Sequence, residues 1–204
     1  IASGGQADVY GHNDVIVKIM HDQSLLIKKE KIKELSVLTT SEVVKPIEYV
    51  FEHNKPIGFT TKRIVGSYVL TELTSNTFWQ KHNITADIIK QLCENMQKVI
   101  QFVHDNNCLI VDNNEFNCLI SKLNLKQPFF IDVDSWQTKS FPADAIMDTI
   151  RDWHSPNTFT RLSDWYSFGV LMCRLFIGIH PYKGNHTKYG KDIKERALAN
   201  VSIF

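Results

Sequence analysis

Strand-like runs fill the first third of this chain and helical periodicity fills the rest, with the change falling at Gly66. Val15-Ile16-Val17-Lys18-Ile19-Met20 is a β-branched run after the turn-like Gly11-His12-Asn13-Asp14. Strands are expected again over 43–51 and 57–64, with His53-Asn54-Lys55-Pro56 as the turn between them. The charged stretch 28–38 places Ile32, Leu35 and Leu38 at helical spacing. Beyond Gly66, Ile88, Leu92, Met96, Val99 and Val103 mark one apolar helix face. A second helix is expected from Ser163 as its N-cap to Gly178 as its stop, carrying Trp165, Phe168, Leu171, Met172, Leu175 and Phe176. No repeat is apparent. The pattern predicts an α+β chain with a small β-rich lobe over 1–64 and a larger helical lobe over 65–204, enough chain for two lobes sharing a cleft.

Bulk chemistry narrows the function. A formal net charge of +1 argues against a nucleic-acid surface spread over the molecule. Lys28, Lys29, Lys31 and Lys33 crowd one segment and read as a solvated helix face. Cys93, Cys108, Cys118 and Cys173 are scattered, with no Cys-x-x-Cys pair, which disfavours a zinc site and suits a reducing, cytoplasmic setting. No apolar run reaches membrane-spanning length, so no membrane partner is expected. Both ends look cut, and a partner chain or a missing segment is expected to complete the helical lobe.

Four separated elements carry chemistry. The small-residue turn from Ala2 through Gly4, Gly5 and Ala7 to Val9 lets backbone N–H groups approach phosphate oxygens. Lys18 sits in an apolar strand and calls for a carboxylate partner, with Glu34 as the candidate and Glu30 one turn earlier as the alternative. Asp112 and Asn117 stand five residues apart after the apolar Leu109-Ile110-Val111 and can converge if the loop folds back. Asp132 and Asp134 follow Phe129-Phe130-Ile131, acidic groups at a strand mouth that suit magnesium, a cation preferring oxygen ligands.

In this order the elements resemble the protein-kinase signature set: glycine-rich loop, strand lysine, helix glutamate, catalytic aspartate, metal-binding asparagine and aspartate. The resemblance continues through Ser163-Asp164-Trp165-Tyr166-Ser167-Phe168-Gly169 and Gly178-Ile179-His180-Pro181-Tyr182-Lys183-Gly184. It implies a two-lobed protein-kinase-like fold that uses ATP and magnesium. Gly4 and Gly5 would cover the phosphates, and Lys18, set by Glu34, would bind them. Asp112 would accept the proton of the attacking hydroxyl, while Asn117 and Asp132 would hold magnesium. Val9, Ile16 and Leu119 would sandwich the adenine, the backbone of Lys62-Arg63-Ile64 would read its edge, and Thr61 would be the gatekeeper. Asp164 would accept hydrogen bonds from the catalytic loop's backbone.

The departures are as specific. The three glycine positions are Ala2, Gly4 and Ala7. Ile110-Val111 replaces the His-Arg before the aspartate, so control by a phosphorylated activation loop is not expected. Asn114 stands where a lysine is usual, and no Ala-Pro-Glu follows. Asp132-Val133-Asp134-Ser135-Trp136-Gln137 resembles the Asp-x-Asp-Ser-x-Gln element of bacterial and phage-encoded kinase-like proteins. There Asp134 is either a second metal carboxylate that makes up for Asn114 or a capping carboxylate. The resemblance implies a Ser/Thr protein kinase whose protein substrate the sequence does not name. The alternatives are a nucleotide-binding pseudokinase scaffold, or an enzyme that acts on a small molecule or transfers adenylate.

Overall fold

Antiparallel pairing of the early strands builds the first lobe. The computed structural model describes residues 2, 3, 5–143, 145–190 and 192–204, so the expectation for Gly4 lies outside the described residues. Strands β1 (Ala2–Ser3), β2 (Ala7–His12) and β3 (Val15–Met20) are followed by helix α1 (Lys29–Leu35), then β4 (Pro46–Glu52) and β5 (Lys55–Lys62). They form a five-stranded sheet in the order β1-β2-β3-β5-β4. His53 and Asn54 both take positive φ (47° and 64°) in the two-residue β4–β5 turn, the backbone that matches the twist of a tight hairpin. The helix expected over 28–38 is shorter. It ends at Leu35, where Ser36 and Leu38 tighten into i→i+3 bonds to Lys33 and Leu35, and β-branched Val37, Thr39 and Thr40 disfavour another turn.

Gly58 is the tightest point of the sheet. A Cβ there would stand 2.2 Å from the backbone oxygen of Lys18 on the neighbouring strand. Gly58→Ala is expected to lower unfolding stability by about 3 kcal/mol, the upper part of the overpacking range, by forcing β3 and β5 apart. A chemical denaturation curve checks this, and an unchanged midpoint would contradict the register.

The second lobe comprises β6 (Ser67–Val69), α2 (Asn76–His82), α3 (Ala86–Asp105), β7 (Cys118–Ser121), β8 (Pro128–Phe130), α4 (Arg161–Ile177) and α5 (Ile193–Leu198). Thr85 caps α3 by accepting the N–H of Ile88, and Ile89, Leu92, Met96, Ile100 and Val103 form its fully buried stripe. Ile88, expected on that face, is half-buried. The cap of helix α4 lies three residues before the expected one. Thr160 is the N-cap, its hydroxyl accepts from Ser163 N, and the Ser163 hydroxyl accepts from Thr160 N at 2.8 Å. Gly178 stops α4 in the left-handed region at φ 77°.

One hydrophobic core passes through both lobes, joining Met20, Leu35 and Phe59 to Leu70, Met96, Trp136 and Phe168. A second, smaller core packs Ile146 and Ile150 against Val111 and Val170, fastening the 145–150 segment to the helical lobe. Among the described residues, no helix is long and apolar enough to cross a membrane.

Candidate active site

A cleft of about 610 Å³ lies between the two sheets. Val9 and Ile16 line it from the large sheet and Leu119 from β7, with Val44 and Phe59 deeper in. Thr61, Lys62, Arg63 and Ile64 form its rim where β5 leaves the sheet, and Gly5, Gln6 and Ala7 close the side nearest the chain start. Lys18, Asn117, Asp132 and Asp134 occupy the polar end. The cleft is thus an apolar slot leading to a charged end.

Register and turn geometry place the charges. Lys18 stands on β3 opposite Val9 and Phe59. Its ammonium donates to Asp132 Oδ1 at 2.7 Å and Asp134 Oδ2 at 2.8 Å, and lies 5.5 Å from the centre of the Phe59 ring. Burial opposes the charge on Lys18, but the attraction of Asp134 and Asp132 together outweighs it and holds its pKa above the usual lysine value. Burial, with Asp132 nearby, pushes the Asp134 carboxyl above the usual carboxylate range against the pull of Lys18. The ammonium between the two carboxylates stays charged, and the more buried Asp134 takes up a proton at higher pH than an ordinary aspartate does.

Each position of Asp132-Val133-Asp134-Ser135-Trp136-Gln137 has a local task. Asp132 adopts the left-handed conformation (φ 61°, ψ 33°) that opens a 3₁₀ turn over Val133–Ser135. Ser135 donates through both its amide and its hydroxyl to Asp132 O. Val133 and Trp136 are buried, Trp136 edge-to-face with Phe130. Gln137 exchanges two backbone hydrogen bonds with Leu109, tying this turn to the approach of the 110–117 loop. Ile131 N donates to Asn117 O at 2.9 Å, a second tie between the two acidic stretches.

The 110–117 loop folds back as its spacing requires. Asn117 Nδ2 donates to Asp112 O at 3.0 Å and Oδ2 at 3.3 Å. Asn114 donates to Asp112 Oδ2 at 2.9 Å and accepts from Phe116 N and Asn117 N, so it braces the loop. Asp112 Oδ1 accepts the backbone N–H of Met147 at 2.9 Å. Helix α4 grips the loop at two places. At its start, the fully buried Asp164 accepts from Ile110 N and Val111 N, both at 2.9 Å, and pairs with His104 Nε2 at 2.8 Å. Near its end, Arg174 forms an ion pair with the buried Glu115. Val111 is β-branched at φ 63°, a conformation that persists because Asp164 holds its N–H.

The expected Lys18–Glu34 pair is absent, and Glu30 does not take its place: the carboxylates on Lys18 are Asp132 and Asp134. Glu34 lies in the last turn of the short α1 and faces the 138–140 segment, accepting from Ser140 N at 3.1 Å. Its hydrogen bonds from Ser140 and Thr138 hold its pKa below the ordinary value. The lysine run is not simply a solvated face either. Lys31 Nζ donates to Asp134 O at 2.6 Å, and Lys28 stands over the Phe141 ring.

No protein-family model matches the chain, and no curated protein matches it in sequence. Solved structures do match. The kinase PK-1 of Cydia pomonella granulovirus superposes with a TM-score of 0.68 at 15% identity, covering 95% of this chain and 74% of that one. The chain has a protein-kinase-like fold. In this kinase-like fold the cleft lies between the β-rich and helical lobes, and several residues that line it or brace the elements around it give little sign of this in the sequence. Phe59 was hidden within a strand-like run, and its buried face was the available signal. Gly58 gave none, because its need for space arises from a strand far along the chain. Glu115, Arg174 and His104 are ordinary polar residues until tertiary packing joins Arg174 to Glu115 and His104 to Asp164.

Proposed function

We propose that this chain is an ATP- and magnesium-dependent phosphotransferase of the protein-kinase type, passing the γ-phosphoryl group to a serine or threonine hydroxyl. The observation that carries the reading is the meeting of Lys18, Asn117, Asp132 and Asp134 at one end of an apolar slot, with Asp112 hydrogen-bonded to Asn117 beside it. The slot between Val9, Ile16 and Leu119 suits a flat base, and the rim at Lys62 and Ile64 offers backbone groups to its edge.

The donor set fits magnesium. Among the described residues, no group of three or more His, Cys, Asp or Glu could hold a metal by itself. Magnesium commonly takes one or two carboxylates together with substrate phosphates, so Asp132, Asn117 and Asp134 are an adequate protein share. Bound there, the ion would neutralise phosphate charge as the transferring group loosens. Lys18 would then exchange its carboxylate partners for phosphate oxygens.

Asp112 performs the proton transfer. Oδ1 is fixed by Met147 N and Oδ2 by Asn114 and Asn117, which aims the carboxylate while leaving a lone pair for the acceptor hydroxyl. As the hydroxyl oxygen bonds to the γ-phosphorus, the bond to the β-phosphate oxygen breaks, ADP leaves and the hydroxyl proton passes to Asp112.

One observation favours a nucleotide-binding scaffold as the second reading. Asn114 is engaged in bracing the loop, so its position brings no cation towards the γ-phosphate. Incubation with ATP and magnesium, followed by mass spectrometry of the chain and of added hydroxyl-bearing peptides, separates the readings. The kinase reading expects ADP and a phosphate adduct on serine or threonine. Nucleotide binding without an adduct supports the scaffold, and an adenylate adduct would overturn phosphoryl transfer.

A further inference from the structure

His180 lies outside the cleft, yet its surroundings lead to Asp112. It is 5% exposed, and both ring nitrogens have backbone partners: Nε2 is 2.6 Å from Thr149 O, and Nδ1 accepts Tyr182 N–H at 3.1 Å. Because Nδ1 accepts, the proton sits on Nε2 and is donated to Thr149 O. Burial lowers the pKa of His180 below its ordinary 6.5, so the neutral ring that this geometry needs is the prevailing one. The charged groups around it are Arg174 of α4, Glu115 of the 110–117 loop and Lys183 of its own segment.

Thr149 is the middle residue of a 3₁₀ turn, Asp148–Ile150. Met147 opens that turn, accepting Ile150 N at its carbonyl and donating its own N–H to Asp112 Oδ1. Ile146 and Ile150 anchor the turn on Val111 and Val170. One short rigid turn therefore touches Asp112 at one end and His180 at the other. Besides the bond to Asp112, polar ties to this segment come from His180 at Thr149 O and from Arg151, which donates to Ile146 O at 3.0 Å.

We propose that His180 is a positioning residue for Asp112, acting through the 147–150 turn. The proposal rests on the reading of Asp112 as the proton acceptor. It makes the placement of that carboxylate a built-in property of the chain that needs no phosphate on the segment.

The test uses the full chain with His180→Phe, which keeps the bulk and removes the donor, and His180→Gln, which keeps a donor towards Thr149 O. His180→Leu replaces the Phe variant if the larger ring prevents folding. Two quantities are measured: the side-chain carboxyl ¹³C resonance of Asp112, assigned with Asp112→Asn, and kcat and KM for ATP. The expected result is a displaced Asp112 resonance in the Phe variant, with kcat down by about tenfold to a hundredfold and KM for ATP unchanged. The Gln variant should restore both. An Asp112 resonance at its native position in the Phe variant, or equal impairment of the Phe and Gln variants, would overturn the proposal. If the native chain transfers no phosphate, the kinase reading fails, and the resonance still decides the positioning.

Discussion

Asp164→Ala is expected to destabilise the chain by about 3–5 kcal/mol, the lower part of the summed cost of leaving three buried groups without their acceptor. Asp164 is fully buried and accepts from Ile110 N, Val111 N and His104. Alanine would leave two amides and an imidazole without an acceptor, and each buried orphan donor costs about 1–3 kcal/mol. It would also release Val111 from φ 63°, which a β-branched side chain resists. Denaturant unfolding measures the loss. Asp148→Ala serves as the contrast, because its carboxylate is 74% exposed in its pair with Arg151 and the change should cost under about 1 kcal/mol. Equal effects from the two substitutions would show that α4 does not hold the 110–117 loop as described.

Asp112→Asn is expected to reduce kcat by about 10²- to 10⁴-fold, the span attributed to a positioned general base. Nucleotide affinity should be nearly unchanged, since Asp112 is not among the residues lining the cleft. The amide keeps the shape and one acceptor for Met147 N–H or for the Asn114 and Asn117 amides, but it cannot take up the hydroxyl proton. Transfer rates measured beside equilibrium ATP binding separate the two effects. A loss of affinity with kcat intact would place Asp112 among the binding residues and remove it from the proton transfer.

Much of this arrangement was legible in residue order. The strand over 15–20 appears at Val15–Met20, the turn at His53-Asn54 closes a hairpin, and of the apolar face read from Ile88 to Val103, Leu92, Met96, Val99 and Val103 are buried along α3. These are local signals, period and turn chemistry, that need no knowledge of distant partners. The failures are tertiary. Glu34 was paired with Lys18 by order along the chain, but α1 ends at Leu35 and turns that carboxylate to Ser140. Ser163 looked like the cap of α4, but it is the reciprocal partner three residues inside, because Thr160 has the extended backbone that a cap requires. Asn114, where the resemblance leads one to expect a lysine, brings no cation, and its further task as a loop brace appears only once the loop has folded back. Arg174 carried no signal, and His180 only a place in the 178–184 stretch, since their partners Glu115 and Thr149 are brought to them by the packing of α4 and of the 145–150 segment.

Under the proposed function, Lys18, Asn117, Asp132 and Asp134 form a magnesium–nucleotide end to the cleft. The most direct test is a thermal unfolding titration with ATP, with and without magnesium, of the native chain and of Asp132→Asn. A ligand that binds the native state stabilises it by about 2.7 kcal/mol at a hundred times its dissociation constant. The expected result is a magnesium-dependent rise in Tm with ATP that Asp132→Asn loses. No shift at millimolar ATP, or an equal shift in the variant, would contradict it.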